Sequence, residues 1–449
     1  MDTISIVCQF FLSLSILIVL HEMGHFAPAK WFKTRVEKFY LFFDFDPFKS
    51  LWKIKKGETE YGIGWLPLGG YVKISGMVDE SMDTEQLKQP PQPWEFRSKP
   101  AWQRLIIMIG GVTVNFILGF FIFGMMLWYF GKAYVPISEV RTYGLAYDSV
   151  LIRQGFQQGD VITKIGDKPF TRVDPGMFIE EVVLGNTRSV TLSRNGKDTV
   201  LQLSVDIASQ ITGQKIAKSS LISARVPFEI EKVNQGPAQQ AGLQKGDKIV
   251  SFNGKPTPFF DEFATAAWDN RGQKVTLGID RNGTIQQHQI DVTSDGKIGV
   301  MVKREGNFKI ERETYSFGKA LPAGVKMGWD FLTNQVKAFG QMFKGNISVK
   351  DNLGSVISIG KLFSPEWNWE IFWNVTASLS IILAFMNLLP IPALDGGYVL
   401  FLIWEVLTGK KVSDKFMERA VTVGFFLLLG LMVFALGLDV WRHFLQKLF

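Results

Sequence analysis

The apolar run Ile4–Leu20 ends on His21-Glu22-Met23-Gly24-His25, and no other stretch constrains the chain so strongly. A run of this kind enters a bilayer, where a helix of roughly 20 residues crosses the hydrocarbon. Two imidazoles and a carboxylate at that depth are costly to bury without partners. On a helix His21 and His25 stand at i and i+4, so both rings leave the same face. The H-E-x-x-H spacing suits two ligands of one Zn²⁺, with Glu22 beside them as general base. The bland alternative is a chance pentapeptide with two satisfied histidines. The chain holds only 4 histidines, and half of them fall here.

Further apolar segments long enough to cross a bilayer follow. With the first they cover about Thr3–Ala27, Leu105–Phe130, Ile371–Leu389 and Val421–Val440. The first is read as a retained span rather than a signal peptide, since it lacks a basic flank and a small-residue cleavage site. Lys and Arg crowd the loop between the first two spans and the loop holding Lys410, Lys411, Lys415 and Arg419. The positive-inside bias makes both loops cytoplasmic, with the termini and the long middle segment outside. The formal charge of +7 is thereby explained by topology and argues against a nucleic-acid partner. Cys8 is the only cysteine, which excludes an intrachain disulfide and a Cys-based zinc site.

In the first loop, Tyr61-Gly-Ile-Gly-Trp-Leu-Pro-Leu-Gly-Gly-Tyr-Val-Lys-Ile74 alternates apolar residues with glycines. It reads as a β-hairpin over 61–76. It packs either on its own loop or into the membrane beside the His motif, where non-helical backbone needs shelter. The exposed edge, carrying Gly64, Leu68, Gly69, Gly70, Tyr71 and Val72, suits an extended substrate added as a strand. Residues 79–100 read as an exposed acidic and Pro-rich linker.

The middle segment repeats itself at a constant offset of 87 residues. Gly155, Gly159-Asp160 and Ile162 recur as Gly242, Gly246-Asp247 and Ile249, and Arg194-Asn195-Gly196 recurs as Arg281-Asn282-Gly283. Each unit has short alternating strands, and the Gly-Asp-x-Ile core resembles the PDZ domain. Such a fold implies a groove for an extended peptide, although a plain spacer pair fits the residues equally. Residues 317–345 carry apolar side chains near helical spacing, for a helix on the outer membrane interface or covering the bundle.

Two histidines leave a zinc site incomplete, because a catalytic site takes three protein ligands. His288 and His443 fall on the wrong side by topology. Asp395, in Asn387-Leu-Leu-Pro-Ile-Pro-Ala-Leu-Asp395-Gly396-Gly397, follows a span that runs in the same direction as the first. It therefore arrives at the depth of His21 and His25. Pro390 and Pro392 break the helix, and the glycines permit close approach. An N-cap role for Asp395 is the alternative, and Asp44 and Asp46 are rival carboxylates.

Taken together, H-E-M-G-H-F at 21–26, Gly64 with Leu68-Gly-Gly-Tyr-Val-Lys73, and Asn387-x-x-Pro-x-Pro-x-Leu-Asp395-Gly resemble the site-2 protease family over nearly the whole chain. The resemblance implies an intramembrane zinc metalloendopeptidase in a bacterial inner membrane. His21, His25 and Asp395 are then zinc ligands, Glu22 the base, and Asn387 a substrate contact. It implies substrates that are single-span membrane proteins, pre-trimmed and of the anti-sigma-factor type in envelope-stress signalling, and signal-peptide remnants. Membrane lipid and peptide ligands of the PDZ-like units are the other implied partners. The family's second span often carries Gly-Pro-x-x-Asn; here Gly110-Gly111-x-x-x-Asn115 lacks the Pro, leaving Asn115 without a role. A non-enzymatic membrane sensor and a metal transporter are the competing classes.

The fold expected is membrane α-helical: four transmembrane helices, a membrane-associated β-hairpin, and two β-rich PDZ-like domains inserted between spans two and three. Its boundaries are 1–130 for the first two spans, 131–222 and 223–307 for the PDZ-like domains, 308–370 for the amphipathic segment and 371–449 for the last two spans.

Overall fold

The computed structural model describes residues 2–44, 50–77, 89–213, 221–303, 306–348 and 356–443. The chain forms two compact units, one comprising Met1–Gly131, Thr314–Val336 and Asn352–Phe449, the other Lys132–Glu313 and Lys337–Asp351.

The first unit is built on α1 (Asp2–Trp31), α2 (Ala101–Tyr129), α3 (Phe317–Phe343, as far as Val336), α4 (Trp369–Leu388), α5 (Asp395–Thr408) and α6 (Asp414–His443). Among the described residues, four segments are long and apolar enough to cross a membrane: Thr3–Trp31, Ala101–Tyr129, Trp369–Leu388 and Lys415–Trp441. The helix α1 runs on through the His motif instead of ending at it. The helix α4 stops at Leu388 because Pro390 pushes the preceding residue out of helical geometry, and Leu389 is extended at φ −60°, ψ 140°.

Directional bonds tie these apolar helices together. Thr376 on α4 donates to Ser13 of α1 at 2.9 Å, and Ser380 donates to the Asn115 carbonyl of α2 at 2.7 Å, all of them buried. Gln9, fully buried on α1, donates to the Ser364 carbonyl at 2.8 Å. Glycine lets α1 and α2 touch backbone to backbone, for a Cβ on Gly24 would meet the Gly110 carbonyl oxygen at 2.5 Å. The helix α3 packs Leu321, Gly324 and Gly328 against Phe120 and Gly124 of α2, while Val325 and Trp329 on it stay exposed.

Between α1 and α2 lies a sheet of β1 (Val36–Phe43), β2 (Trp52–Lys56), β3 (Thr59–Ile63) and β4 (Leu66–Ile74), in the order β2-β3-β1-β4. The segment expected as a hairpin over 61–76 is therefore two strands that do not pair with each other. Strand β1 lies between them, parallel to β3 and antiparallel to β4. Tyr40 explains the insertion. Its buried ring fills the space a side chain at position 62 would need and stacks on Tyr71 at 5.5 Å, and its hydroxyl donates to Glu60 at 2.7 Å. Strand β4 is left at the edge. Trp94–Ser98 is not free linker, because Phe96 is buried and its N–H donates to the Ser75 carbonyl at 2.8 Å. Within that stretch, 79–88 lies outside the described residues.

The second unit carries two sheets of one design. In the first, β5 (Val161–Ile165), β6 (Lys168–Pro169), β7 (Ser189–Arg194) and β8 (Lys197–Gln202) order as β8-β7-β5-β6. In the second, β9 (Lys248–Phe252), β10 (Lys255–Pro256), β11 (Lys274–Arg281) and β12 (Thr284–Asp291) order as β12-β11-β9-β10. The repeat thus has a structural cause. Ile162 and Leu192 in one core occupy the places of Ile249 and Ile279 in the other, all essentially without exposure. Each such burial contributes roughly 1.5–3 kcal/mol. The turns are Asn195-Gly196 and Asn282-Gly283, every residue at positive φ, as two-residue hairpins demand.

A forked ion pair recurs with them. Arg194 donates to both oxygens of Asp160 at 2.9 and 2.8 Å, and Arg281 to both of Asp247 at 2.7 Å. Burial pushes the Asp247 carboxyl up, but bonds from Arg281 and the Gln244 N–H outweigh it and hold the group below its ordinary value. A carboxyl held low stabilises the folded state above its unfolded pKa, and that contribution is lost as pH falls through the folded one. Acidification below about pH 4 should therefore loosen the second repeat. Arg281→Gln should move the acid transition to higher pH, read from the fluorescence of Trp268; an unmoved transition would show that the pair contributes nothing.

Candidate metal centre

His21 and His25 are buried on one face of α1, and Asp395 opens α5. The break before it is tightly turned. The Ile391 N–H donates to the Leu389 carbonyl at 2.7 Å and the Leu394 N–H to the Ile391 carbonyl at 3.0 Å. Ala393 takes a positive φ of 84°, a conformation non-glycine residues rarely hold. Gly396 is needed for close approach: a Cβ there would run into the carbonyls of Leu388 and Leu389. Asp395 does not cap α5, since the N-cap is Leu394 and no side-chain bond is made there.

The carboxylate instead turns to the histidines. Its Oδ2 lies 3.3 Å from His21 Nε2 and 3.4 Å from His25 Nε2, and the two nitrogens are 3.3 Å apart. Oδ2 is buried without a hydrogen-bond partner among the described residues. His25 uses its other nitrogen, Nδ1, on the Ile107 carbonyl at 2.8 Å, so Nδ1 carries a proton and, in the neutral imidazole, Nε2 is left as a lone pair. Acceptors brought this close repel one another unless a cation lies among them. Two nitrogens and one oxygen suit zinc, and about 3.3–3.4 Å is the edge of a tetrahedron whose bonds are about 2.0–2.1 Å. The donor set fits the ion. His21, His25 and Asp395 are the cluster of three such ligands found among the described residues.

Glu22 projects into the adjoining cavity of about 240 Å³. Val72 of β4 lines the same cavity. Gly70 and Tyr71 line it too, with Asn387, whose Nδ2 is 3.3 Å from His21 Nε2. Of the other edge residues, Gly64 gives its N–H to Leu41 inside the sheet and Gly69 abuts the Phe43 ring. The side chain of Leu68 is outside the described residues. The helix α5 is fastened to α2 by Arg104, which donates to Glu405 at 2.5 Å and to the Lys99 carbonyl at 2.9 Å.

The rival groups are engaged elsewhere. Asp44 accepts from Lys38 at 2.9 Å and from Tyr71 at 2.6 Å, and Asp46 lies outside the described residues. His288 binds the Ala241 carbonyl at 2.8 Å within the second repeat. Two partners of the histidines escaped sequence reasoning. The Ile107 carbonyl carries no residue signature at all. Asn115, whose Nδ2 lies 3.1 Å from His21 Nδ1, was singled out by the resemblance but left without a role.

Comparison with known proteins assigns the chain to a family. The model of peptidase family M50 matches residues 9–431. A Neisseria meningitidis protein named "Putative zinc metalloprotease" is 29% identical, covering 96% of this chain and 98% of its own. The Haemophilus influenzae regulator of sigma E protease is 28% identical over 97% of this chain and 98% of its own. The regulator of sigma-E protease of Escherichia coli is 28% identical with the same coverage. With residues 9–431 matched by the family model, the chain belongs to peptidase family M50 and is a site-2-type metalloprotease.

Proposed function

We propose that this protein is an intramembrane zinc endopeptidase of a bacterial inner membrane. It makes the second cut in single-span membrane proteins, anti-sigma factors of envelope-stress signalling among them. One observation carries the reading: three ligand atoms at the edge lengths of a zinc tetrahedron, among helices apolar enough to cross a bilayer. The names of the relatives support both the metal and the pathway.

In this reading His21, His25 and Asp395 hold the zinc. When bound, zinc supplies Lewis acidity to the scissile carbonyl and the attacking water. Glu22 accepts the water's proton as oxygen adds to the carbonyl carbon, and returns it to the amide nitrogen as the C–N bond breaks. The Asn387 amide, beside His21 in the cavity, is placed to hold a substrate carbonyl next to the reacting bond. A peptide bond within a helix is shielded by its own hydrogen bonds, so the substrate unwinds before it is cut. The edge of β4 at Gly70–Val72 offers replacement bonds by strand addition; Gly64 and Gly69 shape that strand.

The basic loops lie on the cytoplasmic side, with the metal centre near it. The termini and the PDZ-like pair lie outside. The pair sizes substrates, excluding those that keep bulky outer domains, and its grooves suit extended peptides.

Glu22→Gln should keep zinc at about one per chain while cleavage of a single-span substrate falls by about 10²–10⁴-fold. Retained cleavage would sink the protease mechanism. Deletion of residues 131–307 should let full-length, untrimmed substrate be cut; resistance as strong as before would remove the sizing role. A Leu-rich substrate segment should be cut about tenfold more slowly than one bearing Gly or Asn at the cut, because helix propensity opposes unwinding. Equal rates would argue against the unwinding step.

A further inference from the structure

The metal reading leaves one buried group unexplained. Asn115 is fully buried on α2, and its Oδ1 has no partner among the described residues. Its Nδ2 stands 3.1 Å from His21 Nδ1. If His21 gives its Nε2 lone pair to the metal, the proton must sit on Nδ1, for a neutral imidazole has one N–H. An amide N–H₂ facing that N–H sets donor against donor. The oxygen and nitrogen of a carboxamide are distinguished only by their bonding partners. With the amide turned over, Oδ1 comes to the 3.1 Å position and accepts from Nδ1–H.

That orientation gives the two histidines matching supports. His25 Nδ1 already donates to the Ile107 carbonyl on α2. Asn115 would do the same for His21 from two turns further along the same helix. Its backbone is fixed for the task, since its own carbonyl accepts from Ser380 of α4 at 2.7 Å. A side chain at Gly111, between the two supports, would collide with both rings. The face of α2 is thus shaped around the imidazoles rather than merely packed on them.

We propose that Asn115 is a positioning residue that accepts a hydrogen bond from His21 Nδ1 and so holds the ring in the tautomer and orientation that present Nε2 to zinc. This rests on the zinc reading of His21, His25 and Asp395. Partners of this kind typically change metal affinity by about 10–100-fold.

The experiment measures zinc affinity of the full-length protein in detergent by chelator competition, with the absorption spectrum of the Co²⁺-loaded form as a second readout. Asn115→Leu keeps the volume and removes the acceptor. It should bind zinc about 10–100-fold more weakly and alter the Co²⁺ bands while melting near the parent temperature. Asn115→Asp restores an acceptor and should recover affinity to within about threefold. Should Asn115→Leu fail to fold, Asn115→Ala supplies the same comparison. Unchanged affinity in a folded Leu or Ala variant overturns the proposal, as does an Asp variant as weak as Leu. A parent protein that takes up no zinc overturns the metal reading and this inference with it, which separates the two failures.

Discussion

The contact of α1 with α2 at Gly24, Gly110 and Gly111 is the constraint on which the rest depends. It brings two helix backbones together without side chains between them. Only at that separation does the Ile107 carbonyl come within 2.8 Å of His25 Nδ1. A buried imidazole without such a partner would be a liability in an apolar bundle. With it, the ring is oriented and its other nitrogen is freed for a metal. The spare lone pair of a helical carbonyl thus becomes part of the site at no loss to the helix.

The polar bonds along the helices serve the same end. In hydrocarbon the hydrophobic effect does not drive one apolar helix against another, so close packing and interhelical hydrogen bonds decide the register. Ser13 with Thr376, and Ser380 with the Asn115 carbonyl, hold α4 against α1 and α2. The register in turn sets the depth at which α4 breaks and Asp395 emerges. Arg104 and Glu405 secure the other side of that break by tying α5 to α2. Asp395 reaches the two histidines from the far end of the chain because both of its flanking helices are anchored to the same neighbour.

The sheet adds a reactive edge to this frame. Strand β1 sits between β3 and β4, so β4 is the end strand of the sheet among the described residues and lines the cavity with Glu22. A simple hairpin would have closed β4 against β3. The cost is a buried tyrosine at position 40, repaid by stacking and by its bond to Glu60. The repeated β-units follow a separate logic, a forked Arg–Asp pair and an Asn-Gly turn copied from one sheet to the next.

Periodicity and local motif were enough to read the four long apolar helices, the β-rich repeat and the pairing of His21 with His25, because each depends on residues near in the chain. Asp395 was also legible, since two prolines and a shared direction of crossing bound its depth. The strand order around β1 was not legible: it depends on how Tyr40 packs against Gly62, which alternation in the 61–74 segment cannot express. The partners of the histidines were hidden for a different reason. A backbone carbonyl is present at every residue, and a lone asparagine in an apolar span has many explanations. Residue type decided which groups in this protein can bind a metal, and only the close crossing of α1 and α2 decided which nitrogens are left to do so.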